Sequence, residues 1–120
     1  MKIVNLRNAS SDSPSFHVKY CDTFFSKLIG LMFSNELEPD HGLILVEKKE
    51  SKANTAIHML FVNYDITALW LDRNLVVVDK ALAKRWRPAY VPKIPAQYVV
   101  ELHRDHYPSF NIGDQLILSD

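Results

Sequence analysis

His58 and Asp65 lie in AIHMLFVNYDITALW, a histidine and a carboxylate joined by a stretch short enough to fold back on itself. In contact they would make a general base or a pH-sensitive hinge. Glu101, at the end of the apolar run QYVVEL, could take the place of Asp65 or pair with an arginine. No nucleophile or second acid accompanies the His58–Asp65 pair. The plainer reading is therefore that His58 caps backbone groups at a strand end and Asp65 caps a turn.

A second group of side chains is cationic. Residues 80–93 carry Lys80, Lys84, Arg85, Arg87 and Lys93 with no acid, and Trp86 and Tyr90 are interleaved among them. Cations beside exposed aromatics can hold a phosphate while a ring stacks, so Arg85, Trp86, Arg87 and Tyr90 form a candidate site for a small anionic ligand. The competing reading makes Trp86 a packed lid shielded by the stems of its arginine neighbours. His103 and His106 flank Asp105 at a spacing that puts both rings on one side of a helical turn, a candidate metal pair. Three converging ligands at a recognised spacing are lacking, so no metal and no cofactor is expected. Cys21 precedes a possible helix start, which would activate a thiol, but no second cysteine can resolve it and an inert packed thiol is the plainer reading.

The elements that would position these groups are short. Strands are expected over 2–7 and 16–20, joined by the polar loop NASSDSPS. Asp22 or Thr23 can cap a helix whose apolar face is Phe24, Phe25, Leu28 and Ile29 and which Gly30 ends. A strand at 42–46 and the charged, solvated loop EKKESKANT follow. Runs 66–71 and 75–78 flank Asp72-Arg73-Asn74 and read as a hairpin, its second arm extending toward Ala83. Neither run alternates apolar with polar, so both faces of the hairpin should be covered. Three prolines between Arg85 and Pro95 forbid a helix or a central strand and favour an extended, ordered loop. Strands at 97–102 and 115–118 close the chain, with one helical turn near HRDHYPSF. Seven or eight short strands and one or two brief helices imply a mainly β domain, a β-sandwich, jelly roll or small barrel, and there is no room for the long crossovers of a parallel α/β fold.

Composition bounds the class of protein. One domain over 1–120 is expected, with 48% hydrophobic residues supplying its core. The formal net charge is zero, which disfavours nucleic acid as a partner, and no apolar run approaches the ~20 residues of a membrane helix. A single cysteine excludes an internal disulfide. With no secretory apolar segment near MKIVNLRN, the expectation is a cytoplasmic protein.

The spaced signals resemble the domain of unknown function 192 family. The likeness runs through Gly30-Leu31-Met32, the strand start at Gly42-Leu43, Ala56-Ile57-His58-Met59, the hairpin from Tyr64-Asp65-Ile66 to Val76-Val77, and Tyr98-Val99-Val100-Glu101-Leu102 with Gly113-Asp114, covering about residues 22–118. Two departures stand out. Asn74 replaces the usual turn glycine, tolerable because Asn also visits positive φ, and His103-Arg104-Asp105-His106 replaces the glycine that commonly follows the "LEL" strand. The resemblance implies a compact, mainly β, jelly-roll-like domain and no activity. The functions left open are a binding module near 56–72 and the 85–95 loop, a hydrolytic or other enzyme using His58 with Asp65 or Glu101, and an interaction domain presenting the Trp86 loop.

Overall fold

A computed structural model describes residues 2–12, 14–32 and 34–120, and describes Phe24 and Phe25 by their backbone alone. The core-facing role expected of those two phenylalanines therefore lies outside the described residues, as do Ser13 of the first loop and Phe33. The elements are β1 (Ile3–Asn8), β2 (Phe16–Cys21), α1 (Phe24–Ile29), β3 (His41–Ser51), β4 (Ile66–Leu71), β5 (Val77–Ala83), β6 (Ala96–His103), a 3-10 helix (Arg104–Ser109) and β7 (Leu116–Ser119).

All seven strands join one sheet in the order β5-β4-β6-β3-β2-β1-β7, curled into a half-barrel. Its two edges meet at one end. Val76 bridges Gln115, the Val77 N–H donates to the Asp114 carbonyl at 2.9 Å, and the Leu116 N–H donates to the Leu75 carbonyl at 3.0 Å. The interior of the curl holds Leu6, Phe16, Ile44, Leu69, Leu71 and Leu102 among others. A second apolar layer on the outer face packs Ile66, Ala68 and Trp70 against Ile57, Met59 and Tyr64. β4 is buried along its whole length and feeds both layers from alternate residues, which is why its sequence does not alternate. Trp70 anchors the outer layer, its Nε1–H donating to the Thr55 carbonyl at 2.7 Å.

Several local expectations change. β2 and β3 pair in parallel, His17 opposite His41 through Cys21 opposite Leu45. Residues 22–40 between them, including α1, supply the crossover a parallel pair requires. β3 runs on through the charged segment to Ser51, where it resumes pairing with Ala96 of β6 after a bulge. The hairpin turn places its positive φ at Leu75 (64°), and Asn74 is not among the positive-φ residues. Leu75 N–H donates to the Asp72 carbonyl at 3.0 Å, and Asp72 Oδ1 accepts from Asn74 N–H at 2.8 Å and Val76 N–H at 3.0 Å. That is a three-residue turn whose left-handed position falls one residue later than a two-residue turn would put it.

α1 begins with a reciprocal cap between Thr23 and Ser26. Gly30 ends it at φ 45°, donating its N–H to the Ser26 carbonyl at 3.0 Å. Leu28 and Ile29 do not bury an apolar face as expected. Both are substantially exposed, because this short helix borders two concavities rather than a filled core.

Candidate functional site: a cavity beneath the first helix

Glu101 sits on β6, the strand between β3 and β4, with Leu43 on one side and Ala68 on the other. Val100 and Leu102 turn into the curl, so Glu101 points to the outer face with Val99. The residues around it are small. Ala68 lies beside it in the sheet, and a Cβ built on Gly30 would come within 3.9 Å of its Oε1. Gly42 is fixed by the same strand, since a Cβ there would lie 2.3 Å from the Glu101 carbonyl oxygen. The side chain is carried to a place where the residue keeps only 5% of its surface. No ion pair or hydrogen bond to its carboxyl occurs among the described residues, and burial pushes its pKa up to about 7.

His58 reaches the same place from the segment before β4. Its Nε2 lies 3.1 Å from the Leu28 carbonyl, one of the acceptors a helix C-terminus leaves unsatisfied. A carbonyl only accepts, so Nε2 carries the hydrogen and the neutral ring holds its lone pair on Nδ1. Nδ1 is buried and has no partner among the described residues. His58 thus does cap backbone, at the end of α1 rather than of a strand, and caps with only one of its nitrogens.

His58 and Glu101 line one cavity of about 70 Å³, roofed by Leu28, Gly30 and Leu31. At its margin Lys27 Nζ contacts Glu47 Oε2 at 2.5 Å and donates to the Val46 carbonyl at 3.1 Å, so that lysine is already neutralised. Gly30 and Leu31 also border a wider, mostly apolar groove of about 680 Å³ on the far side, between β2–β3 and the 34–38 segment. Tyr64 Oη lies 2.6 Å from Ser34 Oγ, which donates onward to the Leu31 carbonyl at 2.7 Å. Burial raises the Tyr64 pKa, and nearby Glu101 and Glu36 add to it.

The remaining expected residues fall elsewhere. Asp65 does not line this cavity. Its Oδ1 accepts from the Arg85 N–H at 2.9 Å and Lys84 approaches Oδ2 at 3.6 Å. The Arg85 N–H first and the Lys84 charge after it lower its pKa. Asp65 is the turn-capping carboxylate of the plainer reading. Arg85, Trp86, Arg87 and Tyr90 lie on the proline-rich loop and do not line the cavity either. Trp86 is 48% exposed at φ 63°, rests edge-on against Phe61 at 5.2 Å, and donates its Nε1–H to Asn63 Oδ1 at 2.8 Å. The Arg87 guanidinium lies 5.4 Å from the Tyr90 ring centre. That exposure removes Trp86 from the packed-lid reading. Lys80 turns away, donating to the Tyr107 and Phe110 carbonyls at 3.2 and 2.9 Å.

His103 and His106 are spent on structure. His103 Nδ1 accepts from the Asp105 N–H at 3.1 Å and Nε2 faces Glu36 at 3.5 Å, while His106 Nε2 contacts the Pro39 carbonyl. The group whose ligand atoms converge among the described residues is instead Glu38, Asp40 and His41, all exposed. The adjacent Asp-His pair was its only sequence signal. Cys21 is buried, and desolvation, followed by Glu101, raises its thiol pKa, the reverse of activation.

The sequence matches the family model of domain of unknown function 192, described as uncharacterized ACR, over residues 6–118. The chain belongs to this family. A UPF0127 protein of Thermococcus kodakarensis is 44% identical over 84 residues, covering 70% of this chain and 52% of that protein. One from Pyrococcus furiosus is 39% identical over 101 residues, covering 82% and 84%. The chain thus spans about half the length of the Thermococcus kodakarensis relative. A Sinorhizobium meliloti crystal structure, of a protein proposed to be a transcription regulator, superposes with TM-score 0.84 at 19% identity over 97% of this chain and 92% of that one. A Novosphingobium aromaticivorans protein of unknown function gives 0.83 at 18%, over 96% and 83%. These two share the family member's fold. The family is one of unknown function, and no described helix is long and apolar enough to cross a membrane.

Proposed function

We propose that this family member is a binding module for a small polar molecule, held by His58 and Glu101 in the cavity beneath α1. One observation carries the reading: among the described residues, a buried carboxyl without a counter-charge and a buried imidazole nitrogen without a partner line the same small space. Leaving such groups unmatched is costly, and a bound partner removes that cost. The cavity is too small for a drug-sized ligand, which needs roughly 300 Å³ or more. It suits a few heavy atoms, with any longer portion leaving at the margin.

The test is a screen of small polar fragments by NMR, followed at the His58 ring and the Glu101 carboxyl. Hits that saturate, and that His58→Ala and Glu101→Gln each weaken at least tenfold, support the reading. A screen in which neither side chain responds to any fragment overturns it.

A second reading keeps an observation of its own. A carboxyl titrating near 7 suits proton transfer at neutral pH, so Glu101 with His58 could serve an enzyme rather than a binder. Asp65, bonded to the Arg85 backbone, has no part in that pair.

A further inference from the structure

Resting on the binding reading above, we infer the ligand class: the cavity takes the ammonium head of a small primary amine. The two polar groups lining it that have no partner among the described residues, His58 Nδ1 and the Glu101 carboxylate, are hydrogen-bond acceptors. His58 Nδ1 offers a lone pair because Nε2–H is committed to the Leu28 carbonyl. Glu101, once ionised, offers two oxygens and a full negative charge that no described side chain neutralises. The cation in the cavity lining is Lys27 on α1, and its Nζ is held by Glu47 and the Val46 carbonyl.

The other ligand classes fit less well. An anion entering here would meet the Glu101 carboxylate, and the cation in the lining, Lys27, is already held by Glu47. A neutral carbonyl compound, which only accepts at its oxygen, would leave His58 Nδ1 unmatched. A metal ion needs three or more converging ligands, and His58 and Glu101 do not belong to such a cluster among the described residues. An ammonium supplies three donors and one positive charge, which satisfies both groups at once. The volume of about 70 Å³ admits that head with one or two carbons.

The charge that selects the ligand also sets its pH dependence. The titratable groups around Glu101 are Cys21 from β2, Tyr64 from the segment before β4, Glu36 across the far groove, His58, and the Lys27–Glu47 pair at the margin. Cys21 and Tyr64 remain neutral below pH 8 because burial raises both, and Lys27 and Glu47 offset each other. Amine binding should therefore follow ionisation of Glu101, weakening at least tenfold from pH 8 to pH 5.5.

The experiment titrates the whole protein with methylammonium, acetamide and acetate at fixed ionic strength, recording the His58 ring nitrogens and the Glu101 carboxyl carbon by NMR. Methylammonium is expected to saturate both signals at pH 8, to weaken at least tenfold at pH 5.5, and to weaken at least tenfold in Glu101→Gln. If that variant does not fold, the wild-type pH series decides. Saturation by acetamide or acetate and not by methylammonium overturns the amine assignment while leaving the binding reading in place. Failure of all three also overturns the assignment, and the broader fragment screen then decides the binding reading separately.

Discussion

Glu101 is a carboxyl placed where water scarcely reaches, and its energetics follow from that placement alone. Its folded pKa of about 7 lies above the ordinary 4.5, so between those values the folded chain holds a proton that the unfolded chain has lost. The sign follows directly: stability is fully present below about pH 4.5 and declines as pH rises through 7. The difference is worth roughly 3 kcal/mol. Urea denaturation at pH 5 and pH 8 is expected to show the wild type losing on that order, and Glu101→Gln is expected to flatten the profile. A wild type equally stable at both values would contradict a buried, uncompensated Glu101. Asp65 acts with the opposite sign, its lowered pKa favouring the fold above the ordinary carboxylate range. In the sequence both were simply acids near apolar runs; their environments separate them.

Two tryptophans show how elements assign energies to similar residues. Trp70 is in β4, 1% exposed and hydrogen-bonded to Thr55, whereas Trp86 stands half-exposed on the loop. Trp70→Ala should cost about 3–5 kcal/mol, while Trp86→Ala should cost under about 1 kcal/mol, partly because alanine carries less bulk at the same left-handed φ. Chemical denaturation of the pair checks this, and equal losses would contradict the layer assignment. Arg85 and Arg87 make no ion pair among the described residues. Arg85→Ala with Arg87→Ala is thus expected to leave stability within about 0.5 kcal/mol of wild type. The same double variant tests an anionic ligand on this loop: unchanged phosphate or nucleotide binding by NMR titration would remove that possibility. In the hairpin turn, Asn74→Gly should destabilise by about 0.4–1 kcal/mol, because position 74 gains flexibility it does not need. A stabilising Asn74→Gly would return the positive φ to that residue.

At the scale of the molecule, the ends of the chain close the curl. β7 pairs with β1, and Asp114 Oδ2 accepts from the fully buried Asn8 amide at 2.8 Å and from the Asn111 N–H at 2.9 Å. Removing that acceptor leaves a buried donor unmatched. Asp114→Ala is expected to cost about 1–3 kcal/mol by denaturation, and a neutral result would show that the closure does not depend on this contact. The outer layer closes differently: segments 55–64 and 84–90 are stitched by Ile57–Tyr90 and Met59–Arg87 backbone bonds, leaving the concavities bordered by α1.

The sequence by itself determined what depends on neighbours along the chain. The Thr23 cap, the helix end at Gly30, the 66–71 hairpin arm and its two covered faces, and a proline-rich loop kept out of helix and regular strand all follow from local sterics, capping and the period of apolar residues. The mainly β class and the family likeness rest on the sum of those signals. Tertiary structure decided which chemical groups meet. His58 and Glu101 are far apart in sequence, on different elements, and no spacing rule relates them; the crossover of 22–40 over the sheet brings α1 above Glu101 and presents the Leu28 carbonyl to His58. Asp65, nearer to His58 in the chain, is held instead by the Arg85 backbone. Desolvation decides the rest, because the pKa of a carboxyl depends on the water and charges around it, and those are fixed only when the sheet has curled and the helix lies across it.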